Sequence, residues 1–191
     1  VNVVSDSDNR NVARSARQGK RFLEMAAQAA SGSGMTLKTV SRYSADVATG
    51  VIHTAKEQEA TTIILGIHRK LTAADSHSGP YSEAFLSRLH REVVMIKMLM
   101  PFNTLRRIVV AVPPKAQFEP GFSKWMNHVL KVGRTLGCQI HFHCSHETAM
   151  FVRLIVDRQG YSDKVRIEQM DSWDEFMMLS ASVNYDHLLI A

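Results

Sequence analysis

Polar and apolar residues along this chain switch between two periods. Behind Asp46, which stands where an N-cap satisfies the first free amides, Val47, Val51, Ile52 and Ala55 recur at helical spacing and predict a helix. Thr61 to Leu65 breaks that period with a short, continuous β-branched and apolar run, as expected for a parallel strand buried on both faces. It ends at Gly66. Polar and small residues follow, then a helix from about Ser82 carrying Phe85, Leu86 and Leu89, then a second buried strand from Val93 to Ile96. Helix, strand, glycine turn, long loop, helix, strand is half of an open α/β sheet, whose ligands bind beyond the carboxyl ends of the strands. The loop from Gly66 to Gly79 lies at that place.

The same alternation extends in both directions. Val1 to Val4 predicts a strand, and Asp8 or Asn9 caps a helix from about Asn11 to Ala30, which the glycines of the SGSG segment end. Met35 to Val40 predicts the next strand. After a linker at Pro101 to Thr104, Ile108 to Val112 opens a second series. A helix from about Gly121 to Leu136 buries Phe122, Trp125, Met126, Val129 and Leu136. Strand Gln139 to His143, helix Thr148 to Asp157, strand Lys164 to Gln169, helix Ser172 to Ser182 and strand His187 to Ala191 complete it. The expected organisation is two α/β units, residues 1–100 and 105–191, each an open parallel sheet sandwiched by helices. Val1 opens inside one strand and Ala191 closes inside another, so a fragment of a longer polypeptide is expected.

Composition narrows the class without choosing a function. With 45% hydrophobic and 21% charged residues, the 191-residue chain reads as an ordinary soluble globular protein. No run approaches the roughly 18 apolar residues of a membrane span. A net charge of +5 is mild enough to suit an acidic lipid surface or a nucleotide. Arg10, Arg14, Arg17 and Arg21 share one side of the first long helix and read as a solvated face. Cys138 and Cys144 are expected to be free thiols on one face of a strand, in a reducing compartment.

The run ATGVIHTAKEQEATTIILGIHRK, with its loop and following helix, resembles the C-terminal part of a universal stress protein domain. That family's nucleotide loop has a glycine, two residues, a glycine, nine residues, a glycine and then Ser or Thr. Here the order is Gly66, two residues, Arg69, nine residues, Gly79 and Pro80, so the spacing is kept while two positions differ. Ser78 and Ser82 stand near the missing hydroxyl. The resemblance implies ATP or another adenine nucleotide as the ligand, with Gly66, His68, Arg69, Gly79 and Ser82 as its contacts. A complete domain of that kind has one more strand and helix in front of the first unit, and a last helix and strand behind the second. In the second copy Pro113 stands where the family has an acidic residue at the end of its first strand, so that copy reads as a packing partner.

RRIVVAVPPKAQFEPGFSKWMNHVLKVGRTLGCQIHF, joined through MPFNTLRR, is similar to the tandem stress-type domain that follows the membrane part of certain bacterial cation/proton antiporters. This implies a regulatory domain on the cytoplasmic face of the inner membrane, partnered by the membrane domain of the same polypeptide, that senses a nucleotide or small anion. A free-standing tandem stress protein that binds ATP is the alternative. A third reading is a dimerisation module that pairs through Val93 to Ile96, within the chain or as a homodimer.

Other chemistry is thin. His141 and His143 share a strand face, and with Cys144 and His146 they form a candidate transition-metal set; alternating histidines on a partly exposed strand are the plainer reading. His68 and His77 flank the glycine loop, where imidazoles titrate near neutral pH. No Ser-His-Asp, paired-carboxylate or Cys-His arrangement emerges from the spacing, and no enzyme is expected. Basic residues and aromatics do not cluster as nucleic-acid binding requires.

Overall fold

Every ladder among the described residues is parallel, which obliges the chain to cross back over the sheet between paired strands. Where the crossings lie among the described residues, helices make them. The structure, a computed structural model, describes residues 1–5, 12–66, 87–88, 91–97 and 100–191. It divides into two compact units, Val1–Lys97 and Met98–Ala191. Among the described residues no helix is long and apolar enough to cross a membrane.

In the first unit β1 (Asn2–Ser5), α1 (Val12–Gly32), β2 (Ser41–Ser44), α2 (Val47–Glu57), β3 (Thr62–Gly66) and β4 (Glu92–Ile96) follow one another. β1 pairs with β2 and β3 with β4, as two separate two-stranded sheets. α2 starts where the sequence predicts, because Asp46 Oδ1 accepts from the Thr49 amide at 2.8 Å and Oδ2 from the Thr49 hydroxyl at 2.7 Å. Its Ala48, Ile52 and Ala55 pack on Ile63 of β3. Gly50, on the same helix, lies against the other sheet: a Cβ there would sit 2.5 Å from Val3 Cγ1 and 3.1 Å from Ser44 Cβ. α2 thus bridges the two pairs.

Two details depart from the sequence pattern. The strand expected at Met35 to Val40 forms instead at Ser41–Ser44. The ladder to β1 sets Asn2 against Ser41 and Ser5 against Ser44, and Met35 and Leu37, ahead of it, are exposed. Likewise β3 is not covered on both faces, since Ile64 is 69% exposed. Arg14, Arg17 and Arg21 are exposed on α1, while Arg10 and the helix expected from about Ser82 lie wholly or mainly outside the described residues.

The second unit runs β5 (Arg107–Ala111), α3 (Phe122–Leu136), β6 (Gln139–Cys144), α4 (His146–Arg158), β7 (Val165–Gln169), α5 (Glu175–Ser182) and β8 (His187–Ile190). Its four strands lie in the order β7-β6-β5-β8. Alternation divides them cleanly. Ile108, Val110, Ile140, Phe142 and Cys144 point to one face and are sealed by Phe122, Met126, Val129 and Leu130 of α3 with Val152 and Val156 of α4. Gly133 permits the close approach of α3, since a Cβ there would meet Ile140 Cδ1 at 2.5 Å. α4 begins two residues before the pattern indicates because Ser145 caps it, its Oγ accepting from the Thr148 amide at 3.3 Å.

Candidate functional site

Two places merit description as sites. The first is the end of β3, where Gly66 closes the strand as expected. Among the described residues a Cβ at Gly66 would meet nothing within 4 Å. His68, Arg69, Gly79 and Ser82, and with them His77 and Pro80, lie outside the described residues.

The second is the other face of the β7-β6-β5-β8 sheet. Strand alternation that buries Ile108 and Ile140 sends Arg107, His141, His143, Arg166, Glu168 and His187 to the opposite side, where they line a cavity of about 280 Å³ beneath Leu179, Ser182 and Val183. The parallel register sets His141 against Arg166 and His143 against Glu168, and Arg107 against His187. Glu168 sits between two imidazoles: its Oε1 is 3.5 Å from His141 Nδ1 and its Oε2 3.7 Å from His143 Nδ1. His187 Nδ1 accepts from the Asn184 amide at 3.4 Å, and its Nε2 lies 3.6 Å from Asp186 Oδ1.

Burial and charge shape this face unevenly. His141 is only 6% exposed, and its buried Nε2 has no hydrogen-bond partner. Its pKa lies below the ordinary imidazole value, first because burial penalises the charged ring and then because the Arg107 guanidinium repels it; Glu168 acts in the opposite direction. Arg107 and Arg166 have no ion-pair partner among the described residues. The lining thus brings together the guanidinium groups of Arg107 and Arg166, the imidazoles of His141, His143 and His187, and the Glu168 carboxylate.

The candidate metal set does not come together. Cys144 points to the apolar face, where burial pushes its thiol up to about 11. His146 is exposed at the start of α4. Among the described residues no group of three or more His, Cys, Asp or Glu is arranged to hold a metal ion. Cys138 and Cys144 are both buried and free, and the Cys138 thiol donates to the Leu105 carbonyl at 3.2 Å. What spacing alone did not reveal is Glu168. It lies on the neighbouring strand, and the alternation of Arg166 and Glu168 with His141 and His143 would have exposed it once those strands were paired.

Comparison with known proteins places the fold. No family model matches the chain, and no curated protein matches it. Solved structures do. A provisionally named universal stress protein from Pseudomonas aeruginosa is 15% identical, with a TM-score of 0.58 over 85% of this chain and 63% of its own. A protein of unknown function from the same organism is 15% identical, with a TM-score of 0.59 over 85% of this chain and 62% of its own. A universal stress protein from Archaeoglobus fulgidus is 16% identical, with a TM-score of 0.58 over 91% of this chain and 65% of its own. The α/β architecture of parallel sheets flanked by helices is therefore that of universal stress proteins, and the chain spans less than two thirds of each of these neighbours.

Proposed function

We propose that this chain is the cytoplasmic regulatory part of a membrane cation/proton antiporter, which senses a nucleotide or another small anion and passes that state to the membrane domain of the same polypeptide. In this reading both units are copies of one universal-stress-type domain, the first short of a strand and helix at its front, the second of a helix and strand at its end. The carrying observation is strand order. In the second unit β5 lies between β6 and β8. Matching β1, β2 and β3 to β6, β7 and β8 puts the counterpart of β5 between β1 and β3, where the strands of the first unit fall into two pairs. A strand added there would join both pairs into one continuous parallel sheet.

The resemblance of the run from Arg106 to Phe142 to antiporter tail domains supports the membrane context. The intact reading frame tests it. About a dozen apolar segments of roughly 20 residues each are expected upstream, and a frame without them removes the antiporter. Where they are present, everted vesicles carrying the antiporter without residues 1–191 should show an altered dependence of exchange on pH or ion concentration.

A free-standing tandem stress protein that binds ATP is the second reading, favoured by Gly66 at the carboxyl end of β3, where open α/β sheets take their ligands. It predicts a calorimetric signal with ATP and Mg²⁺ that weakens in Gly79→Val. Silence in that titration rules it out.

A further inference from the structure

The cavity under α5 runs along one face of the sheet, from Arg107 and His187, the first residues of β5 and β8, to His143 and Glu168, each next to last in β6 and β7. Its volume is about 280 Å³.

We propose that this cavity binds a small oxyanion, with Arg107 and Arg166 as its cationic clamps and His141 as a hydrogen-bonding partner. His141 is more than nine-tenths buried, yet its Nε2 is left without a partner; native structures rarely leave such an atom unmet. Arg107 on β5 and Arg166 on β7 flank it from the two neighbouring strands, and guanidinium forks match oxyanions in geometry as well as charge. A cation would face two arginines, and the Nδ1 atoms of both central imidazoles already lie toward Glu168.

The charges around His141 also set how binding responds to pH. They are Arg107 on β5, His143 on β6, Arg166 and Glu168 on β7, and His187 with Asp186 at β8; α5 contributes Leu179 and Ser182, and Val183 follows it, none of which titrates. An anion among them offsets the repulsion that discourages a proton on His141, so affinity rises as pH falls through the histidine range. This names the small anion of the regulatory reading above and rests on that reading only for its consequence in transport.

The test titrates inorganic phosphate into the 191-residue chain while histidine ring protons are followed by NMR. Expected are saturable shifts of the His141 and His143 signals, tighter at about pH 6 than at about pH 7.5. Affinity should fall about tenfold or more in Arg107→Gln and in Arg166→Gln, the loss expected of one charge-assisted contact. Arg106→Gln, at an exposed site outside the cavity, should match the parent chain. Should Arg107→Gln perturb the unliganded spectrum, Arg166→Gln on the edge strand carries the comparison. Shifts that stay linear in phosphate, or that weaken equally in Arg106→Gln, overturn the site; so does saturation by Zn²⁺ without any response to phosphate. An upstream frame lacking membrane spans would leave these results untouched, so the two proposals fail separately.

Discussion

His141 is folded into surroundings that resist its charged form, and that has a measurable sign. Its pKa is held below 6.5 in the folded chain, chiefly by burial and then by Arg107, with Glu168 opposing and Arg166 and His143 adding repulsion. Well above 6.5 the ring is neutral in folded and unfolded chains alike, so pH has no leverage through it. As pH falls through 6.5 the unfolded chain takes the proton first, and stability is lost until the folded ring protonates too. The urea midpoint should therefore drop further between about pH 7.5 and 5.5 in the parent chain than in His141→Gln; parallel drops would show that this ring is not the source. A second residue-scale expectation concerns Thr148, which is fully buried and donates from its hydroxyl to Gln117 Oε1 at 2.8 Å. Thr148→Val leaves that oxygen unmet and should cost about 1–3 kcal/mol in chemical denaturation. The histidine pair was legible in the sequence as an alternation. Its carboxylate partner was not, because 25 positions of chain separate His143 from Glu168 and only the ladder between β6 and β7 brings them together.

At the scale of elements, caps and close approaches decide where helices start and how near they lie. Ser145 begins α4 two residues ahead of the apolar pattern because a hydroxyl cap, unlike a buried face, leaves no periodic trace. Ser145→Ala should cost about 1 kcal/mol, read from the shift in urea midpoint. Gly50 of α2 has the opposite character. Its missing side chain is what lets the helix touch Val3, whose β-branched side chain has little freedom to turn aside. Gly50→Ala should lose about 1–3 kcal/mol through overpacking even though alanine favours the helix, whereas Gly32→Ala, with open space around it, should be neutral or mildly stabilising. Equal effects at both positions would mean that helix propensity and not packing rules α2. The displaced β2 belongs here as well: apolar content marks Met35 to Val40 as a strand, whereas the ladder to β1 pairs Ser41–Ser44.

For the whole molecule, the succession of strands and helices was readable because each element writes its own period into adjacent residues. Strand order was not, since it is fixed by crossovers that relate residues far apart in the chain. That order carries the last prediction. β5 is paired on both sides, to β6 and to β8, while among the described residues β1 pairs only with β2 and β3 only with β4. Among the described residues one edge of each of those strands is thus without a neighbouring strand, and opening them should cost less than opening β5. Amide exchange should be slowest at Ile108, Val109 and Val110, and markedly faster at Val3, Val4 and Ile63. If, as proposed, a longer polypeptide supplies a strand between them, the same β1 and β3 amides should slow there while those of β5 keep their rate. Equal protection of β1, β3 and β5 in the 191-residue chain would mean that the first unit has no vacant strand position. The match between the two units would then lose the observation that carries it.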